Sequence, residues 1–456
     1  MATAVTIKGG SGVDTINYSF VVTGTNTTRY TLQFADTVNS LLAGGDPLTL
    51  VHSSGADAML NDRGAQPHIY DLIPSTVNGA PNVFNIFGPG YVVDSVNGGA
   101  LLNLAGSDTV LVAGQNSETT VNSANAGVDG NNDLVVFVSG NNEYLGDSTA
   151  GAGNGDTIVA GSGFDTISTG GGSATVNSGT GDATIYLNDT ISGSTINQYV
   201  WLDDGHSVVY ANGQNDAVIA TVGGQTITGG SSTTSELSVV LSGSSAGDLV
   251  SGGAGGTAVY DFSAGGNTID GGTGGMFFVA GGNIADTING GGGAVVVFGA
   301  AGDSITFGNS AGVTTGLTQL IAGAGTESLG GASAVSSLDL IGSSDTAAND
   351  TLTGGFGNDT LQAGVGNETL TGGAGTNLFV LNTAVDAGGN ITIADFAASA
   401  TNEIAFGGYS PSDVASALAD GTEANGNFTI TLSDNTTVTF VGVTGASELT
   451  GHIFTF

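Results

Sequence analysis

The dominant local pattern in the chain is an acid–Thr–aliphatic unit set between clusters of glycine. It occurs as Asp108-Thr-Val, Asp156-Thr-Ile, Asp165-Thr-Ile, Asp189-Thr-Ile, Asp286-Thr-Ile, Asp350-Thr-Leu, Asp359-Thr-Leu and Glu368-Thr-Leu, with an outlying Asp14-Thr-Ile. Asp156 and Asp165 stand nine residues apart, as do Asp350 and Asp359, and Asp359 and Glu368. In the middle of the chain the acids thin out but the beat persists, with short apolar strands centred on Val259, Ile269, Phe278, Ile288, Val296 and Ile305. Strands this short, joined at a fixed period by glycine turns that tolerate positive φ, predict a parallel β-solenoid. The expected class is all-β: a solenoid or β-roll of nine-residue half-coils, with small capping modules at both ends.

Departures from the beat mark four segments. Residues 1–100 hold every basic residue and five of the six prolines, and place Phe34, Val38, Leu41 and Leu42 at helical spacing before Gly44, so they read as a cap or attachment module. Residues 101–344 read as a degenerate glycine-rich solenoid, and 345–380 as its most regular part. In 381–456, Ser410-Pro-Ser-Asp413 reads as a helix start, and Phe428–Leu432 with Thr436–Val441 as a hairpin. Ala258-Val-Tyr, Phe277-Phe-Val and Val295-Val-Val are apolar on both strand faces, which predicts an outer ridge at Val259, Phe278 and Val296. A neighbouring segment covers such a ridge, or a second copy of the chain does.

Composition removes several function classes. Of 456 residues, 40 are acidic and 3 basic, a net charge of −37, and the basic ones (Lys8, Arg29, Arg63) all precede residue 64. Nothing beyond them can neutralise phosphates, which excludes a nucleic-acid partner and a polybasic membrane anchor. The longest purely apolar run, Leu134–Val138, is far short of a membrane span, and the start of the chain lacks the pattern of a secretory signal. With 39% hydrophobic residues the chain is not compositionally disordered, and with no Cys it cannot rely on disulfides. Carboxylates in glycine turns suit a hard, oxygen-seeking cation such as Ca²⁺.

Gly354-Gly-Phe-Gly-Asn-Asp359-Thr-Leu-Gln fits the nonapeptide G-G-x-G-x-D-x-U-x, and Ala363-Gly-Val-Gly-Asn-Glu368-Thr-Leu-Thr and Gly372-Gly-Ala-Gly-Thr-Asn377-Leu-Phe-Val follow without a gap. Gly9-Gly-Ser-Gly-Val-Asp14-Thr-Ile-Asn is an isolated match, and Ala160-Gly-Ser-Gly-Phe-Asp165-Thr-Ile-Ser lacks one glycine. These segments resemble the RTX (hemolysin-type) calcium-binding repeats. The resemblance implies Ca²⁺ held between turns stacked on the same side, pairing Asp350 with Glu368 and Asp359 with Asn377. Gly355, Gly357, Gly364 and Gly366 would lie in those turns. Asp156 and Asp165 would be half-sites, because Ala174 and Ala183 stand where their partners would be, and Asp14 would be a separate site. Asn390-Ile-Thr-Ile-Ala-Asp395-Phe resembles the segment that closes such rolls ahead of a type I secretion signal, which implies export without N-terminal cleavage.

Catalytic patterns are thin. Gly243-Ser-Ser245-Ala-Gly247 and Gly308-Asn-Ser310-Ala-Gly312 spell G-x-S-x-G, which a glycine-rich chain produces by chance. Trp201-Leu-Asp203-Asp204-Gly-His206 groups an aromatic, two carboxylates and a His, as a β-helical polysaccharide-acting enzyme would, but no Lys or Arg lies near to hold an acidic sugar. The expected function is therefore non-enzymatic. The chain resembles RTX-linked surface-layer and adhesin proteins: extracellular or at a Gram-negative cell surface, calcium-stabilised, self-associating, in contact with type I export machinery and with cell-surface polysaccharide, and not inserted in the membrane.

Overall fold

The computed structural model describes residues 2–9, 16–44, 48–52, 58–61, 68–73, 82–87, 89–94, 98–104, 109–114, 117–123, 132–146, 155–188, 197–203, 206–281, 285–309 and 317–456. It contains two units, Met1–Val239 and Val240–Phe456, and each is a parallel β-solenoid. Every coil gives one short strand to each of two sheets. In the first unit Leu48–His52 opens one sheet and Ala58–Asn61 the other; in the second, Leu249–Ser251 and Thr257–Phe262 belong to the two different sheets in the same way. In the regular tokens the aliphatic residue fills the interior and the Thr before it faces out, as period-2 alternation requires. Ile158 and Ile167, with Val176 and Ile185 one coil on, in the first unit, and Leu352, Leu361 and Leu370 in the second, are fully buried. In Asp108-Thr-Val the parity is reversed, with Thr109 buried and Val110 half-buried.

Coil length is less regular than nine-residue counting implies. Gly155 stacks on Ser173 after 18 residues and Met276 on Val295 after 19, but Ala174 meets Gln198 only after 24. The extra residues fall between the strands Asp182–Leu187 and Asn197–Leu202, and the register of inward residues is preserved.

Coils also begin far earlier than residue 101. Leu48 already stacks on Ile69 and His68 on Gly90, so of the described residues before position 101 those up to Gly44 alone stand outside the solenoid. The early strands lack the acid–Thr–aliphatic token, which hid them. The helix expected around residues 34–43 spans Thr25–Gly44 and buries Phe34, Ala35, Val38 and Leu42. With the antiparallel pair Thr3–Gly9 and Ile16–Val22 it covers an outer row of the first unit: Val93, Val112, Val136 and Val159.

The second unit has a comparable row without such a cover among the described residues, but not at the residues expected. Val259 and Phe278 are fully buried in the core, whereas Val296 does face outward, between buried Val295 and Val297. The outer row consists of Phe277 (38% exposed), Phe298 (37%) and Phe262 (56%), with Tyr260 between them. The rings of Tyr260, Phe277 and Phe298 follow one another at 6.2 and 5.6 Å.

At the C-terminal end Ser410 caps the helix Pro411–Ala419 through a reciprocal pair with Asp413. The hairpin Asn427–Thr431 and Thr437–Val441 adds to the sheet beside Asn390–Ile393. Ile453–Thr455 stacks on Glu403–Gly407, so the final residues form a rung of the fold.

Candidate metal centre

The acids of the repeat lie at the corner where a glycine turn becomes a strand. Thr351 stacks on Thr369 and Thr360 on Leu378, so Asp350 lies one coil from Glu368 and Asp359 one coil from Asn377. All four are buried, at 2% exposure or less. The turns themselves are tightly stacked: a methyl on Gly355, Gly357 or Gly364 would overlap the carbonyl oxygen of Ala334, Ser336 or Ser343. Gly366 adopts φ +118°, which favours glycine.

Burial gives these side chains a role that the spacing alone does not show. Asp350, Asp359 and Asn377 each accept a hydrogen bond from the backbone N–H at the same corner one coil earlier. Glu327 N–H donates to Asp350 Oδ1 (2.9 Å), Leu338 N–H to Asp359 Oδ1 (2.8 Å) and Asp359 N–H to Asn377 Oδ1 (2.9 Å). The second oxygen turns to the glycine turn, where Gly355 N–H reaches Asp359 Oδ2 (2.7 Å) and Ser343 N–H reaches Asp350 Oδ2 (3.0 Å). The corner residue thus bolts coil to coil and satisfies donors that would otherwise be buried unpaired.

Asp156 and Asp165 do the same in the first unit. Asp156 accepts from Asp133 N–H (2.9 Å) and the buried Tyr144 hydroxyl (2.7 Å). Asp165 accepts from Asn142 N–H (2.9 Å), the Asn142 amide (3.0 Å) and Gly161 N–H (3.2 Å). In the following coil they stack on Ala174 and Ala183. Asp14 and Asp204 lie outside the described residues.

Three corner acids keep an oxygen that no protein donor reaches. Glu368 Oε2 accepts from Gly364 N–H, but its Oε1 is buried without a partner; the same holds for Glu327 Oε2 and Asp286 Oδ2. Burial pushes Glu368 up to about 8, with Asp350 and Asp386 adding to it. Burial pushes Glu327 up to about 7, with Asp350 and Asp303 behind it. Burial, then Asp261, puts Asp286 at about 7. No Lys or Arg follows Arg63, so only a bound cation can neutralise these acids when they ionise. No three acidic or His side chains converge on one point among the described residues, so the donor set is paired carboxylates, amides and turn carbonyls. That is an oxygen-only set of the kind Ca²⁺ accepts, and the residues fit the ion. Glu327, in Thr326-Glu327-Ser-Leu329, escapes a search for Asp-Thr-aliphatic, although Ala322-Gly-Ala-Gly325 ahead of it carries the glycine signal.

The fold and corner acids define a calcium-binding β-solenoid. The RTX calcium-binding nonapeptide repeat matches in four copies, over residues 150–185, 280–310 and 345–379. These segments are repeats of the RTX type, and this repeat family binds calcium. The match at 280–310 adds a segment, around Asp286, to those expected from sequence. No curated protein and no solved structure matches the chain. No described helix is long and apolar enough to cross a membrane.

The bolting role changes one expectation. Sequence spacing suggests that Asp359→Ala costs more than Asp156→Ala, because Asp156 faces Ala174. Each substitution, however, strands two buried donors, worth roughly 1–3 kcal/mol apiece. In calcium-stripped protein we expect Asp156→Ala to lower stability at least as much as Asp359→Ala, by roughly 2–5 kcal/mol in urea unfolding. A loss below about 0.5 kcal/mol for Asp156→Ala would show that the Tyr144 and Asp133 bonds stabilise nothing.

Proposed function

We propose that this is a secreted, calcium-stabilised structural or adhesive component of a cell surface, acting without catalysis through self-association. The observation that carries the reading is the uncovered aromatic row at Phe262, Tyr260, Phe277 and Phe298. The first unit spends a helix and a hairpin on covering its own outer row, so leaving such a row bare is not the habit of this chain. RTX repeat proteins are typically secreted, which supports an extracellular setting. With a net charge of −37, copies repel one another until Ca²⁺ neutralises acids. Ordered assemblies seen by negative-stain microscopy with Ca²⁺, and none in its absence, are the expected result. A strictly monomeric protein with saturating Ca²⁺ rejects self-association.

A second reading rests on a groove of about 820 Å³ in the first unit, lined by Thr23, Asn26, Thr180, Asp203 and Thr221 among others. Asp203 accepts from the Asn26 amide (2.5 Å), and the half-buried Trp201 stacks near Tyr199. His206 instead turns to Asp182, at 4.0 Å. In this reading Asp203 and Asp204 cleave a polysaccharide. Reducing-sugar release that disappears in Asp203→Asn would establish it. The G-x-S-x-G serine at 245 has no comparable support: it is fully buried and its hydroxyl bonds Asp248.

A further inference from the structure

Asp261 is the penultimate residue of the strand Thr257–Phe262, where the nonapeptide calls for a small residue, and its register partner one coil on is Ala280. It is fully buried. Its Oδ1 accepts from Ser263 N–H (2.8 Å) and its Oδ2 from the Asn267 amide (2.7 Å). Asn267 also donates its backbone N–H to Asp286 Oδ1 (2.9 Å), so the amide residue sits between two carboxylates from opposite sheets. The carboxyl groups of Asp261 and Asp286 come within hydrogen-bonding range of each other. Asp286, 1% exposed, has its Oδ2 buried without any donor.

Two buried carboxylates in contact cannot both ionise unless a cation or a shared proton joins them. We propose that Asp261 and Asp286 together bind one Ca²⁺, with Asp261 supplying a ligand from the opposite sheet that the nonapeptide pattern does not contain. Asp286 Oδ2 is the oxygen left open for the ion, and Asn267 holds both carboxylates in place. Turn carbonyls or water complete a shell of oxygen donors. This assignment rests on calcium binding by the repeats and not on the surface role proposed above.

The test is Asp261→Asn in the full chain, stripped of calcium and titrated with CaCl₂ in a calorimeter. Asparagine keeps an oxygen for the Asn267 amide; it gives up the bond from Ser263 N–H, but it removes one of two facing carboxylates and its own amide can donate to Asp286 Oδ2. The calcium-free variant should therefore melt at or above the wild-type temperature. It should also take up about one ion fewer per chain and gain less in melting temperature on adding Ca²⁺. A structural role alone would not move stability and ion uptake in opposite directions. Asp286→Asn, whose amide can donate to Asp261, should lose the same ion and gives a second reading if Asp261→Asn does not fold. Ion uptake equal to wild type in either folded variant overturns the proposal and leaves a pair that shares a proton. A wild-type chain that takes up no calcium would overturn the calcium reading itself, a different and separable result.

Discussion

Stripped of calcium, the protein should be most stable near pH 4 and should lose its β signal in far-UV circular dichroism as the pH is raised to 8. The cause is the set of buried acids. Burial lifts Asp286, Glu327 and Asp386 to about 7 and Glu368 to about 8, from 3.8 for the Asp residues and 4.5 for the Glu. The folded chain therefore holds protons that the unfolded chain gives up near pH 4. Their contribution to stability is complete below that pH and is lost as the pH rises through 7 to 8. One acid moved from 3.8 to about 7 is worth up to roughly 4 kcal/mol, a large share of what a domain has in total. Calcium binds the ionised form, so with millimolar Ca²⁺ the β signal should persist at pH 8 and the pH profile should flatten. A calcium-stripped protein that grows more stable from pH 5 to 8 would show that these carboxylates are not buried as described.

The same acids show how far the repeat was legible. The acid–Thr–aliphatic token and its 18-residue return put Asp350 beside Glu368 and Asp359 beside Asn377, and the stacking follows that spacing. What the token could not reveal is that the corner side chain accepts a backbone N–H from the neighbouring coil. The clue is in the substitutes. Asn142, Asn267, Asn377 and Asn402 replace acids at equivalent corners, and each supplies a side-chain oxygen to an N–H one coil away. An amide keeps that bond and gives up the charge, so coils can persist where the calcium pattern fades. The coils at residues 48–94 were illegible for a related reason. Strands such as His68–Ile73 and Asn82–Phe87 have no corner acid, and coils of 21 and 22 residues break the nine-residue count.

Two adjacent phenylalanines should give opposite outcomes. In Met276-Phe277-Phe278-Val279-Ala280 every residue is apolar, so hydrophobicity along the strand does not say which parity faces the core. The stacking decides it. Phe278 sits between Val259 and Val297, all three buried, while Phe277 sits between Ala258 and Val296 on the outside. An acid at Phe278, which the sequence pattern places on the outer ridge, would thus put a charge in the interior. We expect Phe278→Asp to cost more than about 4 kcal/mol and to leave the second unit unfolded even with Ca²⁺. Phe277→Asp should instead keep the wild-type dichroism spectrum and calcium-bound melting temperature within a few degrees, because an acid at that site remains solvated. Its effect should fall on association: light scattering with Ca²⁺ should show monomer where the wild type assembles. If Phe277→Asp assembles like the wild type, the aromatic row is not the contact surface. If Phe278→Asp folds normally, the inward parity of this strand is wrong.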